Sequence, residues 1–333
     1  MSTAGIPALP EAVRALAEAD FGPVAQRFSE AGFQVGLPAP GILTVKGAAA
    51  DAARPSVLVS VGVHGDETGP IEMTAYVIEA LSRAPRELAV DLMLCVGNID
   101  AIAAGKRFID ADLNRMFRTE RGSLAGTAEA GRADVLIAAT VAFFEGAGPQ
   151  RWHLDLHTAI RPSHYPMFAI VPELIADEPR NALIEWLGEA GIEAVIMNPK
   201  SAGTYSYYTS EHHGAAGSTV ELGRVGTLGS NDLSQFADAS AALERLLRGQ
   251  PAGPTQRSPR VFKQVQEVVK LSDQFSMNVG RETWNFTALK KGDVIAADGD
   301  TVYTVKHDEE LVVFPNPDVR VGLRAGLMVV QVD

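Results

Sequence analysis

Ser56-Val-Leu-Val-Ser-Val-Gly-Val63 runs into His64-Gly65-Asp66-Glu67 and then into Gly69-Pro70-Ile-Glu-Met-Thr-Ala-Tyr-Val-Ile-Glu-Ala-Leu81. This stretch decides how the chain folds. The first run is β-branched and almost wholly apolar, as in a strand covered on both faces. The last run is helical in pattern, with Pro70 near its first turn, where the missing N–H costs nothing. Residues 88–96 return to strand character, so a strand, a helix and a strand follow one another.

The alternation continues outward. Residues 128–144 and 181–190 read as helices, as does 233–247. Residues 152–156, 167–171, 194–197 and 218–222 read as strands. Upstream, residues 12–19 are alanine-rich and helical in propensity. Residues 33–35 and 42–45 form a hairpin around Pro38, Pro40 and Gly41. The expected class is α/β, with a mixed, largely parallel sheet flanked by helices over residues 1–250. Gly249-Gln-Pro-Ala-Gly-Pro254 marks a break. Beyond it, short β-rich runs at 261–271, 293–296, 301–305, 311–314 and 327–332 predict a small all-β domain over residues 258–333.

Composition narrows the function. The chain has 333 residues, 46% of them hydrophobic, enough for a sizeable core. A net charge of −12 and a pI near 5.1 argue against nucleic acid or an anionic membrane as partner. A small anion remains compatible, because one pocket can be basic on an acidic protein. The single cysteine, Cys95, lies in a strand-like apolar run and excludes an intrachain disulfide. Residues 1–10 lack the basic and apolar regions of a leader, and no run nears the ~20 apolar residues of a membrane span. A cytoplasmic location is expected. Glycine fingerprints for nucleotides and a Gly-x-Ser-x-Gly elbow are both missing from the sequence.

Three short pieces carry the chemistry: His64-Gly-Asp-Glu67, Asp155-Leu-His157 and Val220-Glu221-Leu-Gly223. Each follows a strand-like run, and α/β sheets place their sites beyond strand ends. Two imidazoles and a carboxylate are the ligand set of a catalytic zinc, and a further glutamate can move protons there. Gly62 and Gly65 flank His64 and permit close backbone approach. Along 153–157, His153, Asp155 and His157 share one face and Leu154 and Leu156 the other. Asp155 is then placed to orient His157, or else lies on a solvated face, and His153 is a competing ligand. Glu221 reads equally as a loop cap or as a general base. His164, His212, His213 and His307 read as surface residues. A further cluster, Arg107-Phe-Ile-Asp-Ala-Asp112-Leu-Asn114-Arg115-Met-Phe117, joins cations, carboxylates and apolar anchors in one connection. It is either a solvated charged loop or a carboxylate-recognition loop, since arginine forks pair with both oxygens.

Taken together, these motifs, Asn98, Asp155-Leu-His157-Thr-Ala-Ile-Arg161, Glu221-Leu-Gly223 and the C-terminal Phe314-Pro-Asn316 and Val321-Gly-Leu-Arg-Ala-Gly-Leu-Met328 resemble the succinylglutamate desuccinylase/aspartoacylase family. That family belongs to the wider zinc carboxypeptidase-like group, and the resemblance covers nearly the whole chain. It implies one Zn2+ per subunit, held by His64, Glu67 and His157. It implies Glu221 as the base that activates water and then protonates the leaving amine. Arg107 matches the arginine that polarises the amide carbonyl, and Asn114 and Arg115 match residues that bind substrate carboxylate. The reaction implied is hydrolysis of N-succinyl-L-glutamate to succinate and L-glutamate, the last step of arginine breakdown by the succinyltransferase route. Such a substrate carries three carboxylates, which makes Arg161 a third binding candidate beside Arg107 and Arg115. Asp66 stands where the family more often has asparagine. The alternatives are a zinc deacylase of another N-acyl acidic amino acid, such as N-acetylaspartate, and a non-catalytic module that binds an anionic metabolite. The motifs define neither the residues facing the acyl group nor the oligomeric state.

Overall fold

A computed structural model describes residues 11–49, 51–254 and 258–332. Residues 1–10, read above for a leader, lie outside it. In chain order the elements are α1 (Glu11–Ala17), α2 (Gly22–Glu30), β1 (Gln34–Ala39), β2 (Ile42–Lys46), β3 (Ser56–Val61), α3 (Thr68–Arg83), β4 (Asp91–Val96) and α4 (Ile99–Ala104). There follow α5 (Ala128–Phe144), β5 (Arg151–Ala159), β6 (Met167–Pro172), α6 (Asp177–Glu189), β7 (Ala194–Asn198), α7 (Tyr205–His213), β8 (Ala216–Arg224) and α8 (Ala237–Leu247). The C-terminal part is all strand: β9 (Arg260–Val269), β10 (Ser276–Met277), β11 (Thr287–Lys290), β12 (Val294–Asp298), β13 (Thr301–Thr304), β14 (Glu309–Val313) and β15 (Arg324–Val332).

One twelve-stranded sheet runs in the order β1-β2-β4-β3-β5-β8-β6-β7-β9-β15-β14-β11. Its centre, β4-β3-β5-β8, is parallel, while β6 lies antiparallel to β8 and the hairpin β1-β2 adds an antiparallel edge. The mixed α/β class read from the sequence is the observed one. The period-2 alternation of β3 explains its layers. Val57, Val59 and Val61 pack under α3 with Ile71, Val77, Ile78 and Leu81, whereas Leu58 faces α5 and α7 through Leu136, Phe143 and Tyr205. Burial of each such side chain contributes roughly 1.5–3 kcal/mol.

The sheet does not stop at the break near residue 250. β9 pairs in parallel with β7, from Ala194↔Arg260 to Met197↔Lys263, and β15, β14 and β11 extend it antiparallel. β10, β12 and β13 form a second sheet, with Val268, Ile295, Val312 and Met328 in the core between. Phe168 and Ile196 of the α/β part pack with Phe262, Phe286 and Leu327.

Two strands are longer than their sequence runs suggested. β5 continues to Ala159 and β8 to Arg224, so His157 and Glu221 lie within strands rather than at their ends. Ladder pairing persists past both residues, but the register slips between His157 and Ala159, opposite Gly223, whose φ is +72. That irregularity marks where the strands give way to the site. α2 and α4 were not anticipated. α4 is a short helix whose start depends on Asn98, which accepts a hydrogen bond from the Ala101 N–H.

Candidate active site

Strand order builds this site. β3, β5 and β8 are neighbours, in register at Val61↔Leu156 and His157↔Glu221. His64 follows β3, His157 lies on β5 and Glu221 on β8, so three residues far apart in sequence meet at one end of the sheet. The turn after β3 is tightly made. Gly62 has φ +63, and a Cβ there would meet Ile102 Cδ1 at 2.6 Å. At Gly65 a Cβ would lie 2.3 Å from the Ala101 backbone. Only glycine lets the His64–Glu67 turn pack onto α4.

His64, Glu67 and His157 are all buried and bring one ligand atom each within 4.8 Å of the others. The two Nδ1 atoms face each other at 3.2 Å. Glu67 Oε1 lies 2.8 Å from His64 Nδ1, and Oε2 lies 2.8 Å from His157 Nδ1. The opposite ring nitrogens are both held by carboxylates: His64 Nε2 by Asp112 at 2.9 Å, and His157 Nε2 by Asp155 at 2.9 Å. Ser60 Oγ donates to Asp155 at 2.5 Å. Two imidazoles turned inward by carboxylates behind them form the usual outer shell of a divalent-metal site. The donor set therefore suits a metal such as zinc.

The charges around it are strongly coupled. Burial opposes ionisation of Glu67, but the two histidines outweigh it and hold the carboxyl well below its usual range. Burial also opposes ionisation of Asp112, and Arg115, His64 and Arg107 overcome that, again to well below the usual range. Glu221 goes the other way. Burial, then the Glu67 charge, pushes its carboxyl up to about 7, against the pull of His157, Arg107 and His64. Its Oε2 is buried without a partner. A carboxyl with that affinity for protons, beside a metal-ligand set, is suited to give and take protons near neutrality.

The arginine connection wraps this centre. Arg107 Nη1 donates to Glu67 Oε1 at 2.7 Å, and its Nη2 lies 3.1 Å from His64 Nε2. Arg115 Nη1 donates to the Asn114 carbonyl at 2.6 Å, and its Nη2 lies 3.9 Å from Asp112. Asn114 is buried; its Oδ1 accepts from the Tyr205 N–H at 2.9 Å and its Nδ2 lies 3.4 Å from His157 Nε2. Arg161 is half-buried, close enough to Arg107 and to Arg281 of the C-terminal part for their charges to lower its pKa after burial does.

Several residues were not singled out from sequence. Asp112 was read only as one carboxylate of the charged connection, yet it holds His64 as Asp155 holds His157. Glu129 accepts from the backbone N–H groups of Ile109 and Ala111 and from Asn98, and so fixes the arginine connection. A glutamate two residues after the Thr127 cap of α5 was the available signal. His153, the competing ligand, faces Ser60 and Thr209 at 2.9 and 2.8 Å, and burial lowers its pKa to about 4. It is a neutral core residue. His212 and His213 form no metal cluster among the described residues; they pack against Tyr208 and, for His213, Phe144. Cys95 is buried beside Tyr205, and its thiol is pushed up to about 12.

Comparison with known proteins agrees with this geometry. Residues 53–247 match the succinylglutamate desuccinylase/aspartoacylase catalytic domain, and residues 257–332 match the AstE/AspA barrel-sandwich hybrid domain. The succinylglutamate desuccinylase of Burkholderia orbicola is 47% identical over 87% of this chain and 86% of its own. The crystal structure of succinylglutamate desuccinylase from Vibrio cholerae superposes with a TM-score of 0.84 at 33% identity, covering 91% of this chain and 89% of that one. The enzyme of the same name from Chromobacterium violaceum gives 0.77 at 34% identity over 93% and 97%. The chain belongs to the succinylglutamate desuccinylase/aspartoacylase family.

Proposed function

We propose that this family member hydrolyses the amide bond of N-succinyl-L-glutamate, giving succinate and L-glutamate, with one zinc ion on His64, Glu67 and His157. The observation that carries the reading is the convergence of those three ligands with the partnerless carboxylate oxygen of Glu221. The names of relatives that match along most of the chain supply the substrate. Zinc held there supplies a Lewis acid that acidifies water and polarises a carbonyl oxygen.

The protein's own groups do the rest. Glu221 takes the proton of the attacking water and returns it to the amide nitrogen, so that the C–N bond breaks with a neutral amine leaving. Arg107, fixed by Glu67, presents its guanidinium to the negative charge that builds on the carbonyl oxygen. Asp155 and Asp112 keep each Nδ1 directed inward. Arg115, Arg161 and Asn114 meet the substrate carboxylates; Asn114 also ties the connection to Tyr205.

The test is the release of free amino acid from N-succinyl-L-glutamate beside N-acetyl-L-aspartate, before and after chelation and with zinc restored. The highest kcat/KM is expected on N-succinyl-L-glutamate, lost on chelation and regained with zinc. A higher kcat/KM on N-acetyl-L-aspartate would move the assignment to another deacylase. Binding of these anions without turnover would make the chain a binding module.

A further inference from the structure

We propose that Arg324, brought to the site by the C-terminal part of the chain, binds a substrate carboxylate together with Arg115. The inference rests on the functional reading above and deepens it, by naming a specificity residue that the catalytic part does not contain.

Arg324 opens β15, opposite Val269 of β9, and the register slips between Arg324 and Gly326. Such a bulge re-aims the side chain beside it. Arg324 is half-buried, and among the described residues its guanidinium makes no hydrogen bond or ion pair. Its charged neighbours are Arg115, Glu267 and Asp112. Burial, then the like charge of Arg115, lowers its pKa to about 10. A guanidinium partly withdrawn from water without an acceptor is costly.

Among the described residues no carboxylate pairs with it: Glu267 is exposed and makes no ion pair with the guanidinium. Asp112 already serves His64 Nε2 and the Asn114 N–H, with Arg115 beyond. Arg107 is bound to Glu67, and Arg281 to Asp318 at 2.8 Å. Arg115 and Arg324 thus come near each other from two parts of the chain, and no protein carboxylate fills the Arg324 fork. A carboxylate placed there relieves their repulsion and accepts from both forks. On a protein of net charge −12, a trianionic substrate needs such a local reversal of sign.

The experiment compares Arg324→Met and Arg324→Lys with the unsubstituted enzyme. The substrates are N-succinyl-L-glutamate and three analogues lacking one carboxylate each: N-butyryl-L-glutamate, N-succinyl-L-norvaline and N-succinyl-4-aminobutyrate. Arg324→Met is expected to raise KM for N-succinyl-L-glutamate about 10- to 100-fold, with kcat within about threefold and zinc content unchanged. Arg324→Lys is expected to recover part of the loss. For one analogue, the one without the bound carboxylate, the penalty should vanish. An unchanged KM in a folded Arg324→Met protein overturns the proposal. So does an equal loss on all four substrates, the mark of a structural role. Should Arg324→Met lower the thermal midpoint, Arg324→Lys decides, by a raised KM at an unchanged midpoint or by an unchanged KM. If the unsubstituted enzyme leaves N-succinyl-L-glutamate intact, the functional reading fails and this assignment with it; turnover with unchanged KM overturns Arg324 alone.

Discussion

The metal cradle and the arginine rim lie side by side but are built differently. The cradle stands on the central parallel strands: His157 is on β5 opposite Glu221 on β8, and His64 lies in the turn that leaves β3. Both imidazoles are braced from behind by carboxylates, at 2.9 Å each. The rim stands on connections and on the start of β15. Arg115 and Arg324 are half-exposed, and Arg115 is held chiefly by its neighbour's carbonyl. Fixed geometry belongs where bonds are made and broken, because small displacements there are costly in rate. Adjustable cations belong where a flexible anion is gathered in. Damage to the cradle should therefore fall on kcat or metal content, and damage to the rim on KM.

The largest break of that contrast is at a ligand. His157→Ala should lose zinc by metal analysis and turnover by several orders of magnitude. Retained zinc and activity would remove His157 from the cradle. Glu221→Ala should keep zinc and fold yet lose about 10² to 10⁴ in kcat. Near-normal turnover would assign the base elsewhere. Asp112→Asn tests the brace behind His64. A loss of about 10- to 100-fold in zinc affinity or activity is expected, read by competition with a chelating dye. An effect on KM alone would place Asp112 with the rim. Arg115→Ala should raise KM about 10- to 100-fold with zinc content intact, the value of a hydrogen bond to a charged group. An unchanged KM would release it from substrate binding.

The smallest effect is in the pH profile. Glu221 is pushed up to about 7, so below that pH it holds its proton and is unable to accept another. Activity should rise with pH through this limb and fall about tenfold per unit beneath it. A bound cation draws the limb down, so it should lie at or below about 7. Glu221→Gln should abolish it along with most of the rate. A limb above pH 8 in the parent enzyme would contradict the assignment.

Much of this was readable from residue order. The apolar run at Ser56–Val61 and the alternation of His153, Asp155 and His157 against Leu154 and Leu156 are local signals of period 2. Other features had no local signal. Asp110 and Asp112 are equivalent in the sequence, but Asp110 accepts from the Ala128 N–H at the start of α5 while Asp112 reaches His64. His153 shares a face with His157 and is chemically the same, but Ser60 and Thr209 satisfy it. Arg324 reads as one charge in a β-rich tail until β9 and β15 are paired.

From the residues alone came the strand-and-helix alternation, the imidazoles and carboxylates fit for a metal, and the cations fit for an acid. Each depends on side-chain chemistry or on a periodicity only a few residues long. Which aspartate braces which imidazole, which histidine stays neutral in the core, and which arginine crosses from the C-terminal strands depended on the three-dimensional fold. Those choices follow from strand order and register, fixed by burial between segments far apart in the chain, and no local pattern encodes them.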